Sequence, residues 1–108
     1  VLRDPRLAKA IYAMHQRPGV NWKVEDLARE AGLSRSLFAE RFLAATGTTP
    51  ARYLTELRMR LAVQYITHEG QALEKVAFSL GYQSLAAFSR AFKRITGQPP
   101  GALRATAR

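Results

Sequence analysis

The chain has 108 residues, enough for one domain or for two very small ones sharing a buried element. Apolar residues make up 47%, which supports a core and excludes a disordered chain. Seventeen Lys and Arg stand against 8 Asp and Glu, a net charge of +9 that favours a polyanionic partner, nucleic acid or an anionic membrane surface.

With no Cys there is no disulfide framework and no thiolate metal site. No apolar run has the length of a membrane span. The opening VLRDPRLAK lacks the apolar stretch of a secretory signal, and a start at Val rather than Met fits a fragment of a longer protein or a processed one.

Strand signals are nearly absent, and helix signals run through the chain. Asp4-Pro5 reads as a cap followed by Pro at the first helical position. Leu7, Ile11 and Met14 then line one face, and Pro18-Gly19 ends that helix. A second helix is expected from Val24 to Ala31, with Val24, Leu27, Ala28 and Ala31 inward and Gly32 as its stop. Ser34 caps a third that runs to Thr46, with Phe38, Phe42 and Ala45 on its inner face.

Thr49-Pro50 repeats the cap-and-proline signal. A long fourth helix follows to Thr67, with Leu54, Leu57, Leu61 and Tyr65 as its buried stripe. A fifth covers Leu73 to Leu80 and stops at Gly81. Ser84 caps a sixth that reaches Thr96. Pro99-Pro100 opens a short turn through Leu103, and the basic tail from Arg104 to Arg108 is expected to fray. The fold class is therefore all-α, with seven helices.

Two stretches are copies of each other. Leu27-Ala28 matches Val76-Ala77, and Gly32 matches Gly81, at a spacing of 49. Ser34, Phe38, Phe42, Thr46, Gly47 and Pro50 match Ser84, Phe88, Phe92, Thr96, Gly97 and Pro100 at a spacing of 50. The additional residue lies in the turn, where Leu33 faces Tyr82-Gln83. Two copies are too few for a solenoid and read as a duplicated module on either side of a connecting helix.

Each copy is a helix, a short turn with Gly, and a helix. That is the helix-turn-helix pattern, in which the second helix lies in the major groove. Ala28 and Ala77 supply the small residue where the helices touch. Gly32 and Gly81 supply the turn residue, and Phe38 and Phe88 the apolar anchor.

At about 100° per residue, Ser36, Glu40 and Leu43 point away from Phe38, with Ala39 at the flank. Ala86, Arg90 and Lys93 point away from Phe88, with Ser89 at the flank. Small outward residues let a helix sit deep in a groove, and Ser caps leave helix N-terminal N–H groups near phosphates. Arg makes paired hydrogen bonds to guanine, and Glu accepts from the cytosine amino group. Arg90 and Glu40 have no opposite charge three or four residues away. Glu40 either reads a base or pairs with an arginine on another helix.

Trp22, Tyr12, Tyr53 and Tyr65 read as core or interface aromatics. His15 and His68 have no ligand-like spacing, so neither a metal nor a cofactor is expected. No carboxylate pair or Ser-His-Asp set stands out, and the reading is not an enzyme.

The two modules, the long linking helix and the closing GYQSLAAFSRAFKRITGQPPGALR resemble the DNA-binding domain of AraC/XylS-type bacterial transcription regulators. The resemblance runs from Asp4 to Arg104. Its most diagnostic string is Gly81-Tyr82, Ser84, Phe88-Ser89-Arg90, Phe92-Lys93, Gly97 and Pro100.

It implies two helix-turn-helix lobes, residues 1–48 and 71–108, joined by a linking helix over residues 49–70, with both recognition helices in adjacent turns of the major groove. By position, it implies base contacts from Ser36, Ala39 and Glu40, and from Leu85, Ala86, Ser89 and Arg90. The small and apolar ones suit thymine-methyl contacts or indirect readout. With the caps and flanking cations, the candidate DNA-contacting set is Ser34, Arg35, Ser36, Ala39, Glu40, Ser84, Leu85, Ala86, Ser89, Arg90 and Lys93. Arg58 and Arg60 on the linking helix are candidates for phosphate contacts. Lys23 departs from the Thr cap common in the family, leaving Asn21 as the other candidate cap.

The family further implies promoter DNA as partner, RNA polymerase as a second one, and an effector bound by a separate domain, this chain being the C-terminal part of a cytoplasmic regulator. An RNA-binding protein, a membrane-surface helix and a protein-interaction module are the competing readings. The caps and turns argue against the membrane helix, and the charge against the interaction module.

The linking helix of 18 residues is about 27 Å long, against a groove repeat of roughly 34 Å. Bound DNA is therefore expected to bend, or one lobe to engage less fully. Circular-permutation gel shifts check this: no bend, with both lobes footprinted, contradicts it.

Overall fold

Side-chain and backbone caps set where the helices begin. The computed structural model describes residues 4–106, and among them the chain is helical with no strand. In order the elements are α1 (Pro5–Gln16), α2 (Val24–Ala31), α3 (Arg35–Thr46), α4 (Pro50–Thr67), α5 (Leu73–Ser79), α6 (Leu85–Thr96) and α7 (Pro100–Thr106). The Asp4 carboxylate accepts from the Arg6 N–H at 2.9 Å, and Thr49 Oγ1 from the Arg52 N–H at 3.2 Å. Pro5, Pro50 and Pro100 each stand first in their helix, where a missing N–H costs nothing.

The start of α2 differs. Lys23 holds the cap position but offers no side-chain acceptor, and the Asp26 carboxylate accepts from the Lys23 N–H at 3.1 Å. Asn21 is thus not the cap; an acid in the first turn supplies the reciprocal bond from inside the helix.

The chain divides into two compact units, Val1–Leu54 and Thr55–Arg108, with the boundary inside α4. In the first unit α2 packs against α1 and α3. Leu7, Ala10, Met14, Leu27, Ala28, Ala31, Phe38 and Phe42 are buried there. The Phe42 ring meets Tyr53 edge-on at 5.5 Å, and the Tyr53 hydroxyl is hydrogen-bonded to His15 Nε2 at 3.0 Å. The core of the second unit gathers Met59, Ala62 and Ile66 of α4 with Val76, Ala77, Leu80, Phe88, Ala91 and Phe92.

Several details depart from the expectation. Leu54 and Leu57 are buried, but Leu61 and Tyr65 are only half-buried. Met59, Ala62 and Ile66 are the buried residues there, turned about 120° around the helix axis, and Leu61 and Tyr65 pack against the edge of that core. A helix that belongs to two units has no single apolar stripe, so periodicity alone finds the flank rather than the centre of the buried side in its second half.

Ala45, expected on the side of Phe38 and Phe42, is exposed. Tyr12 is 66% exposed and is not a core residue. Helix α7 extends to Thr106, past the expected end at Leu103, and residues 107 and 108 lie outside the described residues. Among the described residues no helix is long and apolar enough to cross a membrane.

Phe88→Ala should destabilise the protein by about 3–5 kcal/mol, since it opens a large cavity in the second core. Leu43→Ala, at a residue 51% exposed, should stay within about 0.5 kcal/mol of the parent. Urea denaturation followed by circular dichroism checks both.

Candidate nucleic-acid interface

The duplication persists in the hydrogen bonds. Ser34 Oγ accepts from the Leu37 N–H at 3.2 Å, and Ser84 Oγ from the Ala87 N–H at 3.1 Å. At the far end of each helix Thr46 donates to the Phe42 carbonyl at 2.8 Å, and Thr96 to the Phe92 carbonyl at 2.7 Å. The Phe38–Phe42 rings lie 5.6 Å apart and the Phe88–Phe92 rings 5.7 Å apart. Both α3 and α6 have 12 residues.

The turns match as well. Gly32 and Gly81 have φ of 69° and 89°, which an L side chain adopts only under strain. The next N–H returns to the preceding helix in each copy, Leu33 to the Ala28 carbonyl and Tyr82 to the Ala77 carbonyl, both at 3.0 Å. Ala28 and Ala77 are buried, and their small size suits two helices meeting through a short turn.

The second turn differs in its side chains. By the turn bonds Tyr82 stands where Leu33 does and Gln83 is the added residue, and the Tyr82 ring covers Phe88 at 5.6 Å. The Arg58 guanidinium stacks over that Tyr82 ring at 5.6 Å. Burial pushes the Tyr82 hydroxyl above its ordinary pKa, with the Arg58 charge opposing. Burial likewise lowers Arg58, with Tyr82 opposing. Arg58 therefore braces the start of α6, while Arg60 is exposed. Sequence reasoning had no route to this contact, because Arg58 and Tyr82 are 24 positions apart and sit on different elements.

The outward faces are open. Ser34, Arg35, Ser36 and Glu40 are exposed in the first copy, with Ala39 half-buried. Ser84, Ala86, Arg90 and Lys93 are exposed in the second, with Leu85 and Ser89 half-buried. Within each unit the candidate residues thus lie on one helix and its cap. Leu43 shares the first of these faces.

Charge distinguishes the copies. Arg35 pairs with Glu25 at 3.8 Å and Arg41 with Asp4 at 3.9 Å, so both arginines of α3 face acids. Among the described residues no ion pair holds Glu40, Arg90, Lys93 or Arg94. Elsewhere the Trp22 indole donates to the Arg17 carbonyl at 2.8 Å, closing the end of α1. No cluster of His, Asp and Glu fit to hold a metal occurs among the described residues.

Each unit thus holds one copy of the helix-turn-helix framework. The family described as a helix-turn-helix domain matches residues 27–106. An AraC-like transcription regulator of Streptomyces lividans is 44% identical over 100 residues, covering 93% of this chain and 33% of that protein. The RCS-specific HTH-type transcriptional activator RclR of Escherichia coli K12 is 41% identical over 104 residues, covering 96% of this chain and 37% of that protein. The chain thus spans about a third of the length of the curated relatives it matches. Among solved structures, the DNA-binding domain of the global transcriptional factor AdpA in complex with a target DNA is 31% identical with a TM-score of 0.89. That match covers 98% of this chain and 95% of the other. The chain belongs to the AraC-type family of helix-turn-helix DNA-binding domains.

Proposed function

We propose that the chain binds double-stranded promoter DNA sequence-specifically, with α3 and α6 in adjacent segments of the major groove. The observation that carries this is the contrast within the repeat. Caps, turn bonds and ring pairs are nearly identical in the two copies, while the exposed faces differ. A structural duplication needs only the framework. Two faces that diverge on one framework suit two readers of different bases. The AdpA domain, solved on its target DNA, supports the same reading.

In this reading residues 1–48 and 71–108 each carry a reading head, and 49–70 join them. Ser34 and Ser84 place helix N-termini near phosphates. Arg90 pairs with a guanine and Glu40 accepts from a cytosine amino group. Ser36, Ala39, Leu85, Ala86 and Ser89 allow close approach, Lys93 meets a phosphate, and Arg35 does so once it leaves Glu25. The biological role is transcription regulation in the bacterial cytoplasm, by activation, with RNA polymerase as a partner and an effector bound by a separate domain. The share of the relatives' length that the chain spans agrees with such a domain.

Selection of binding sites from random duplexes at a fixed salt concentration should give an asymmetric site about two turns long, with duplex RNA a poor competitor. A palindromic site needing two chains contradicts the proposal. Arg90→Ala should weaken specific binding by about 1–3 kcal/mol and relax one base position. Unchanged affinity and preference remove Arg90 from the readers. Glu25→Gln should change stability by less than about 1 kcal/mol, because the pair is exposed. By freeing Arg35 for phosphate it should steepen the salt dependence of binding by about one contact. Thermal denaturation and binding titrations over a salt series measure the two effects.

A further inference from the structure

Leu43 is 51% exposed, on the face of α3 that also carries Ser36 and Glu40. It contributes little to the core, since Phe38 and Phe42 fill the opposite side at 0% exposure. The repeat provides an internal control. The equivalent position of α6 is Lys93, also exposed, so the fold accepts a cation there. A large apolar side chain held in water at this place is not required by folding. The other large exposed apolar residues are Tyr12, Val20, Val63 and Phe78. None lies on α3 or α6, so Leu43 is alone of its kind on the two reading helices among the described residues.

The charge around it narrows what it meets. Both arginines of α3 are drawn to acids, Arg35 to Glu25 and Arg41 to Asp4. Along the outward midline the side chains are a hydroxyl, a carboxylate and an isobutyl group. A carboxylate is repelled by phosphates and favours base edges, where amino groups donate. Leu43 lies about 4.5 Å along the helix from Glu40, close to one base step of roughly 3.4 Å. The apolar group that the major groove offers there is the C5-methyl of thymine.

We propose that Leu43 is a specificity-determining residue of the first unit, packing against a thymine methyl within about one base step of the pair that Glu40 reads. The assignment rests on the DNA-binding reading above and deepens it. The first head then discriminates by an acid and an apolar contact, and the second by the Arg90 cation.

The test removes the methyl without disturbing base pairing. Each thymine of the selected site is replaced in turn by deoxyuridine, and affinities are measured for the parent, Leu43→Ala and Leu43→Lys. At one thymine, next to the position whose preference relaxes in Glu40→Ala, loss of the methyl should weaken parent binding about fourfold, the equivalent of one buried methyl. The same replacement should leave Leu43→Ala and Leu43→Lys unaffected. If no methyl loss weakens the parent, or if it weakens all three proteins equally, Leu43 reads no methyl, while the DNA-binding reading stands on the selected site. If selection yields no preferred sequence, the DNA-binding reading falls, and this assignment with it.

Discussion

Two phenylalanines one helical turn apart hold each half of this protein in shape. Phe38 and Phe42 in α3, and Phe88 and Phe92 in α6, are at most 2% exposed and lie tilted against one another. Their burial fixes the rotation of the helix about its own axis, because two large side chains at i and i+4 define one inward direction. Once that is set, the residues opposite have to face out. Ser36, Glu40, Ala86 and Arg90 owe their exposure to the rings on the other side. The cap Ser and the left-handed Gly act with this constraint: they set where the helix begins and the path of the chain into it.

Much of this was legible because it is local. Asp4-Pro5, Ser34, Thr49-Pro50 and Ser84 act through hydrogen bonds spanning two or three residues, and Gly32 and Gly81 through their own backbone angles. The outward faces of α3 and α6 followed from helical geometry once the phenylalanines were identified. What stayed illegible is non-local. Leu61 and Tyr65 fit one periodicity as well as Met59, Ala62 and Ile66 fit another, and only the surrounding helices choose between them. The Arg58–Tyr82 stack and the Arg35–Glu25 and Arg41–Asp4 pairs join separate elements, and no spacing rule within a helix could reveal them. Ala45 had the right periodicity but is exposed.

The two heads share a frame and differ in electrostatics. Over α6 the cations Arg90, Lys93 and Arg94 stand without an acid on the same helix. Over α3 the arginines face Glu25 and Asp4, and the outward midline carries a carboxylate. Exposed ion pairs contribute little stability, so their effect is more on availability: a paired arginine meets a phosphate only after leaving its acid. Of the two helices α3 and α6, it is α6 whose cations no ion pair holds among the described residues.

The one-residue difference between the turns bears on how such a protein changes over time. Tyr82-Gln83 replaces the lone Leu33, yet the N–H after each Gly returns to its Ala carbonyl at the same 3.0 Å. The added length is absorbed before α6 begins, and the ring pair behind is undisturbed. Substitutions on the outward face likewise leave the core untouched. Each head is therefore free to vary its preference without a toll on folding, and one head varies without its twin. Two heads with independent repertoires multiply their combinations, so a small set of tolerated residues yields a much larger set of distinguishable targets.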